Sequence, residues 1–378
     1  MMQLIKSEVL GAPLDLSCLE KLTKEQYSIL FELSKMHDLA QIVGSALIQN
    51  GLVKDQEILS LFNEEMMKAI SRDERIKYEL SKIYDLLEQL QIPFLPLKGA
   101  VIRELYPSSW MRNSCDIDIY VEKKNVETVV KILCKKCGYK LEGEFDNVYT
   151  IISPAGHLIE LHTSLRSIWQ TEVLELKNVP SICFSASDSK YHKLLSNELF
   201  YVYCISHTYK HFTSSGCGIR SFVDILLMNA KLSIDKVKLQ ELLALNKLDK
   251  FYNGCQQLID VWFYGNDYNE LTKKMQKFVL NSGVYGDAKH NILLNYSISN
   301  GNKAKQILKR LWVRYDAFSA MYPVVKKHRW LVPFCQIHRW LKLFTPKYFK
   351  KAINETKVVK NLSASDSQEL QSMLNELK

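Results

Sequence analysis

Asp116-Ile-Asp-Ile-Tyr-Val121 alternates charged and apolar residues, and this alternation limits the possible folds more than any other feature of the chain. Successive residues of a strand point to opposite faces. Asp116 and Asp118 therefore share one face, and Ile117, Ile119 and Val121 share the other. Such a segment needs a core on one side and something to relieve two neighbouring carboxylates on the other. Close anions repel unless a proton or cation intervenes. A hard divalent ion is the usual relief, because Mg²⁺ takes one or two carboxylates together with substrate phosphates. Upstream, Ile92 to Leu97 predicts a buried strand that ends at Lys98-Gly99. Glycine at such a corner lets backbone and ligand approach closely. Ala100 to Tyr106 predicts a short helix whose first amides could face an anion. A third acid, Glu160, lies in Leu158-Ile-Glu-Leu-His162, where alternation puts Leu158, Glu160 and His162 on one face. Asp-x-Asp alone is common on solvated strands. What distinguishes this pair is the order: strand, Lys-Gly, helix, Arg112, Asp-x-Asp strand, later acid.

That order resembles the polymerase-beta-type nucleotidyltransferase superfamily. The words Leu97-Lys-Gly-Ala100, Leu105-Tyr-Pro107, Arg112-x-x-x-Asp-Ile-Asp-Ile119 and Glu160-Leu-His162 are similar, more closely, to bacterial nucleotidyltransferases often found beside polysaccharide or peptide-modification genes. The likeness is clear over roughly residues 85 to 165 and reaches more weakly to the C-terminus. It implies an α+β fold with a small mixed sheet, an NTP substrate and an unidentified acceptor: a sugar, a peptide or protein side chain, or a small molecule. It also implies Mg²⁺ (or Mn²⁺) held by Asp116, Asp118 and Glu160, with His162 orienting Glu160. His207, His211, Arg220 and Asp224 are expected over the nucleotide. Ala100 stands where the superfamily usually has a second Gly or Ser. Lys98, Gly99 and Arg112 are therefore expected to grip the phosphates.

The chain has 378 residues, 47% hydrophobic and 24% charged, ordinary for a globular protein of two or three domains. Its net charge of +9 is uneven, with thirteen Lys/Arg against one Asp between Lys303 and Lys351. A region like that suits an anionic partner, or is simply a solvated helical face. Nine cysteines stand without a framework. Cys134-Lys-Lys-Cys137 has no second Cys-x-x-Cys to make a zinc site, so free thiols in a reducing compartment are expected. The N-terminus has no signal-peptide core. The best apolar run, Trp330 to Phe344, is broken by His338, Arg339 and Lys342, so no transmembrane segment is expected. A cytoplasmic protein follows.

Three regions are expected: helical residues 1–90, a nucleotidyltransferase core at 91–188, and helical residues 189–378 carrying the basic aromatic segment 303–351. Thr23-Lys-Glu-Gln26 is a capping-box pattern. From Asp55 a helical stripe runs through Ile58, Leu61, Phe62, Met66 and Ile70, then Ile76, Leu80, Ile83, Leu87 and Leu90, into the first strand. Asn147–Ile152 and His157–Thr163, joined by Ser153-Pro-Ala-Gly156, predict a hairpin. His207 and His211 share a helix face but lack the glutamate of a zinc peptidase, since Thr208 follows His207. They read as a His-Lys-His face toward the cleft, with Arg220 and Asp224 forming a salt bridge or holding a ligand. A phosphohydrolase built on His207, His211 and Asp224 is the weaker alternative. Two functions of different class remain. One is metal-dependent transfer of an NMP. The other is a non-catalytic module on the same fold that acts on nucleic acid, membrane or a protein partner.

Overall fold

The computed structural model describes residues 1–19, 21–165, 179–284, 312–313, 315–322, 324–343 and 364–378. Helices α1 (Met2–Leu10), α2 (Leu16–Leu19), α3 (Lys24–Met36), α4 (Ala40–Gln49) and α5 (Gln56–Gln89) open the chain. Thr23 caps α3 with the expected box, its side chain accepting from the Gln26 amide while Gln26 reaches back. Asp55 caps α5 by accepting from the amides of Glu57 and Ile58. At 1.5 Å per residue, the 34 residues of α5 span about 50 Å.

The mixed segment follows: β1 (Phe94–Pro96), α6 (Gly99–Ile102), β2 (Asp116–Val121), α7 (Lys123–Lys136), β3 (Lys140–Phe145), β4 (Val148–Ile152) and β5 (Leu158–His162). The five strands form one sheet in the order β1-β2-β5-β4-β3. β2 and β5 run parallel, with Asp118 beside Glu160 and Tyr120 beside His162. β4 pairs antiparallel with β5, which is the expected hairpin. The chain is therefore α+β with a small mixed sheet, as the alternation and the resemblance implied. Next come α8 (Val179–Ile182), β6 (Phe184–Ser185), β7 (Lys193–Leu194), α9 (Asn197–Ser214), α10 (Ile219–Lys231), α11 (Lys236–Leu245), α12 (Asp249–Ile259) and α13 (Glu270–Ser282). Helices at Tyr315–Met321, Val324–Lys327, Val332–Leu343 and Ala364–Glu376 close the chain. Much of the basic segment 303–351 lies outside the described residues. Among the described residues, no helix is long and apolar enough to cross a membrane.

Two hydrophobic clusters hold these elements. The larger joins the N-terminal helices to α9–α13, with Leu4, Phe62, Val202, Phe222 and Phe251 inside it. The smaller lies under the sheet, where Ile117, Ile119, Ile159 and Leu161 meet Ile83 and Leu87 of α5 and Val126, Val129 and Leu133 of α7. Burying each of these side chains stabilises the fold by roughly 1.5–3 kcal/mol. The four from β2 and β5 thus offset the cost of gathering acids on the opposite face.

Candidate active site

Alternation sets the floor of the site. With Ile117, Ile119, Ile159 and Leu161 turned into the core, Asp116, Asp118 and Glu160 face the other way and line one cavity of about 280 Å³. α9 and α10 roof it with His207, Lys210, His211, Arg220 and Asp224. The sequence-predicted acids and the His-Lys-His face therefore meet, although about 45 residues separate Glu160 from His207.

Lys98 closes one side. It sits at φ +42°, ψ −114°, a backbone region that costs a non-glycine residue about 1–3 kcal/mol. The Leu97 amide donates to the Asp118 carbonyl at 3.0 Å, locking this corner onto β2. The Lys98 ammonium donates to Asp118 Oδ1 at 2.8 Å. His162 Nε2 meets the same oxygen at 2.7 Å and lies 3.5 Å from Glu160 Oε2. Burial would raise the Asp118 pKa, but Lys98 and His162 overcome it and hold the carboxyl below its usual range. Burial also opposes the charge on His162, yet hydrogen bonds to Asp118 and Glu160 raise its pKa. Asp116 goes the other way: burial, then the Asp118 charge, push its carboxyl up.

The donor set suits a divalent cation. Asp118, Glu160 and His162 each offer a ligand atom, and these atoms lie within 4.8 Å of one another. Two donors already converge on one Asp118 oxygen, the kind of position a cation takes. Asp116 lies outside this trio but borders the same cavity.

The first amides of α6 do not face the cavity as expected. Ala100 donates to the Leu97 carbonyl and Val101 to the Lys98 carbonyl, both at 3.1 Å, so these amides close the corner. Gly99 fits for a different reason. A Cβ there would stand 2.8 Å from an Arg112 guanidinium nitrogen and 3.2 Å from Ser114 Oγ.

Of the two roles read for Arg220 and Asp224, a salt bridge or holding a ligand, the first goes to other partners. Arg112 takes Asp224 through two hydrogen bonds of 3.0 and 2.9 Å, and the Tyr106 hydroxyl donates to it at 2.8 Å. A planar guanidinium matches a carboxylate in this two-bond geometry. Arg220 turns to Asp38 and to the Asn113 carbonyl. Four residues along α10 place Arg220 and Asp224 on one face, but each finds a better partner on a neighbouring element. His207 and His211 lie 3.1 Å apart between Nε2 atoms. Burial, then the Lys98 charge, lowers both pKa values, that of His211 to about 4.

Sequence reasoning missed Ser114, Tyr106, Asp38 and Arg103. Arg103 is almost wholly buried and donates to the Gly99 carbonyl, Asp73 and Ser114 Oγ at 3.1, 2.8 and 2.6 Å. It thereby pins the glycine corner to α5. Its neighbour Glu104 and the polar run Ser108-Ser109 make it look like a surface residue in the sequence. Only the distant Asp73 reveals otherwise.

A small mixed sheet with acids on two parallel strands beside a glycine corner is the framework of a nucleotidyltransferase. Residues 23–264 match the family described as uncharacterised nucleotidyltransferase, and the chain belongs to that family of transferases. Among solved structures it is similar to the antibiotic-resistance factor ANT(2'')-Ia, at 14% identity and a TM-score of 0.34, over 49% of this chain and 97% of that one. A comparison with curated proteins finds none that matches.

Proposed function

We propose that the protein moves a nucleoside monophosphate from an NTP to a hydroxyl or phosphate of an acceptor, with Mg²⁺ or Mn²⁺ held by Asp118 and Glu160 and bordered by Asp116. The observation that carries this reading is the pairing of Asp118 with Glu160 across parallel strands, on the floor of a cavity that Lys98, Arg112, Lys210 and Arg220 also line. A divalent ion held there would neutralise phosphate charge and lower the pKa of a coordinated hydroxyl. Lys98 exchanges Asp118 for phosphate and, with Lys210 and Arg220, offsets the charge that develops on the leaving pyrophosphate. The bond from the acceptor oxygen to the α-phosphorus forms as the bond to pyrophosphate breaks. Asp116, with its pKa raised, is the carboxylate best suited to take the acceptor's proton. Arg112 shapes the wall through Asp224. His207 and His211, kept neutral, offer hydrogen bonds to the nucleoside or acceptor.

Labelled ATP, GTP, CTP and UTP with Mg²⁺, incubated with cell lysate as the acceptor pool, test the reading. At least one should yield a labelled adduct and pyrophosphate. Failure of all four to bind, or transfer that survives Glu160→Gln, would refute it. A melting temperature that rises with oligonucleotide or anionic lipid, and never with Mg²⁺ plus NTP, would favour a binding module instead.

A further inference from the structure

The helix Val332–Leu343 is built like a core helix and oriented like the reverse of one. Phe334, Ile337 and Leu341 follow the i, i+3, i+7 spacing that normally turns an apolar stripe inward. Among the described residues they face solvent, 62%, 51% and 62% exposed, while Gln336 on the opposite side is 5% exposed. Trp330, just before the helix, is also exposed and lies edge-to-face 6.2 Å from the Phe334 ring. Lys327, Arg329 and Lys342, close by in the chain, are also exposed, Arg329 lying over the Tyr315 ring and Lys342 over the Tyr322 ring. The segment 303–351 carries thirteen Lys/Arg against one acid, Asp316. This face lies beyond the family match, which ends at residue 264.

We propose that this face is a docking surface for an anionic lipid bilayer, with the helix lying flat in the interface. Several observations favour that occupant. An exposed apolar stripe with Trp beside it, in a segment rich in Lys and Arg, is the pattern of an interfacial helix: the stripe enters the acyl boundary while cations of the segment meet anionic headgroups. Two copies of the chain would bring like charges together over such a face. Nucleic acid would satisfy the cations and stack on Trp330, but Ile337 and Leu341 offer bases neither stacking nor hydrogen bonds. The inference is independent of the transfer chemistry.

Co-sedimentation of the full chain with vesicles tests it. Phosphatidylcholine vesicles should bind weakly, and vesicles with roughly a third phosphatidylserine should bind strongly, less so as salt rises. The variant Phe334→Ser/Ile337→Ser/Leu341→Ser alters exposed residues only, and circular dichroism checks its fold. It should lose roughly tenfold or more in vesicle affinity. Glu160→Gln, which alters only the cavity, should bind vesicles like the unaltered chain, so failure of the transferase reading and of this one can be told apart. Equal binding to both vesicle types would overturn the proposal, as would undiminished binding by the triple variant. Retention of an oligonucleotide in place of vesicles, or a dimer that the triple variant dissociates, would overturn it in favour of those partners.

Discussion

Asp118→Ala tests whether the site's ion pair is built as described. The Asp118 side chain is 2% exposed and that of Lys98 16%, and the two meet at 2.8 Å. Removing one partner of a buried pair costs about 3–5 kcal/mol, because the other charge is left uncompensated. Glu160 is close by, and Lys98 keeps some contact with water, so the lower end, about 3 kcal/mol, is expected. Adding Lys98→Gly to Asp118→Ala removes the stranded ammonium. It also places glycine at φ +42°, relieving about 1–3 kcal/mol of backbone strain. The double variant should therefore regain about 2 kcal/mol or more over Asp118→Ala. Urea denaturation followed by circular dichroism measures both, provided the slope is unchanged. Nucleotidyl transfer should be absent from both variants, which separates stability from activity. A loss below about 1 kcal/mol in Asp118→Ala, or a double variant no more stable than that single variant, would refute the reasoning.

Further outcomes follow from neighbouring residues. Glu160 is more exposed than Asp118, its side chain 27% accessible, so Glu160→Gln should abolish transfer while stability changes by no more than about 1 kcal/mol, read by thermal melting beside an NTP transfer assay. Gly99→Ala forces a methyl against the Arg112 guanidinium; a cost of about 1–3 kcal/mol and weaker NTP binding are expected, by denaturation and by titration calorimetry. His37 is held neutral by burial, its pKa lowered from 6.5 to about 4. As pH falls below 6.5 the unfolded chain takes up that proton first, so stability is lost between pH 6.5 and 4 and amounts to about 3 kcal/mol. Above that window His37 contributes no pH dependence. His37→Gln should flatten the slope of stability against pH.

Period-two alternation made the floor of the site legible. Two short strands fixed which way Asp116, Asp118 and Glu160 point, because their intervening isoleucines and leucines had to be buried. The helical stripe from Asp55 was equally plain, and α5 runs unbroken as that stripe required. The roof was readable in outline: His207, Lys210 and His211 do face the acids. Partner choice was not. Local spacing offered Asp224 to Arg220, whereas the fold brings Arg112 and Tyr106 to Asp224 and Asp38 to Arg220. A charge's partner depends on which elements pack together, and sequence distance carries little of that. The positive φ of Lys98 was likewise hidden, since only the pull of Asp118 and the turn into α6 justify it.

Because α5 passes through both hydrophobic clusters as one rod, sheet and helical body cannot draw apart along its axis without tearing packed side chains loose. The Arg103–Asp73 ion pair near the rod's midpoint ties the glycine corner to it as well, so corner, sheet and helical body share one axis.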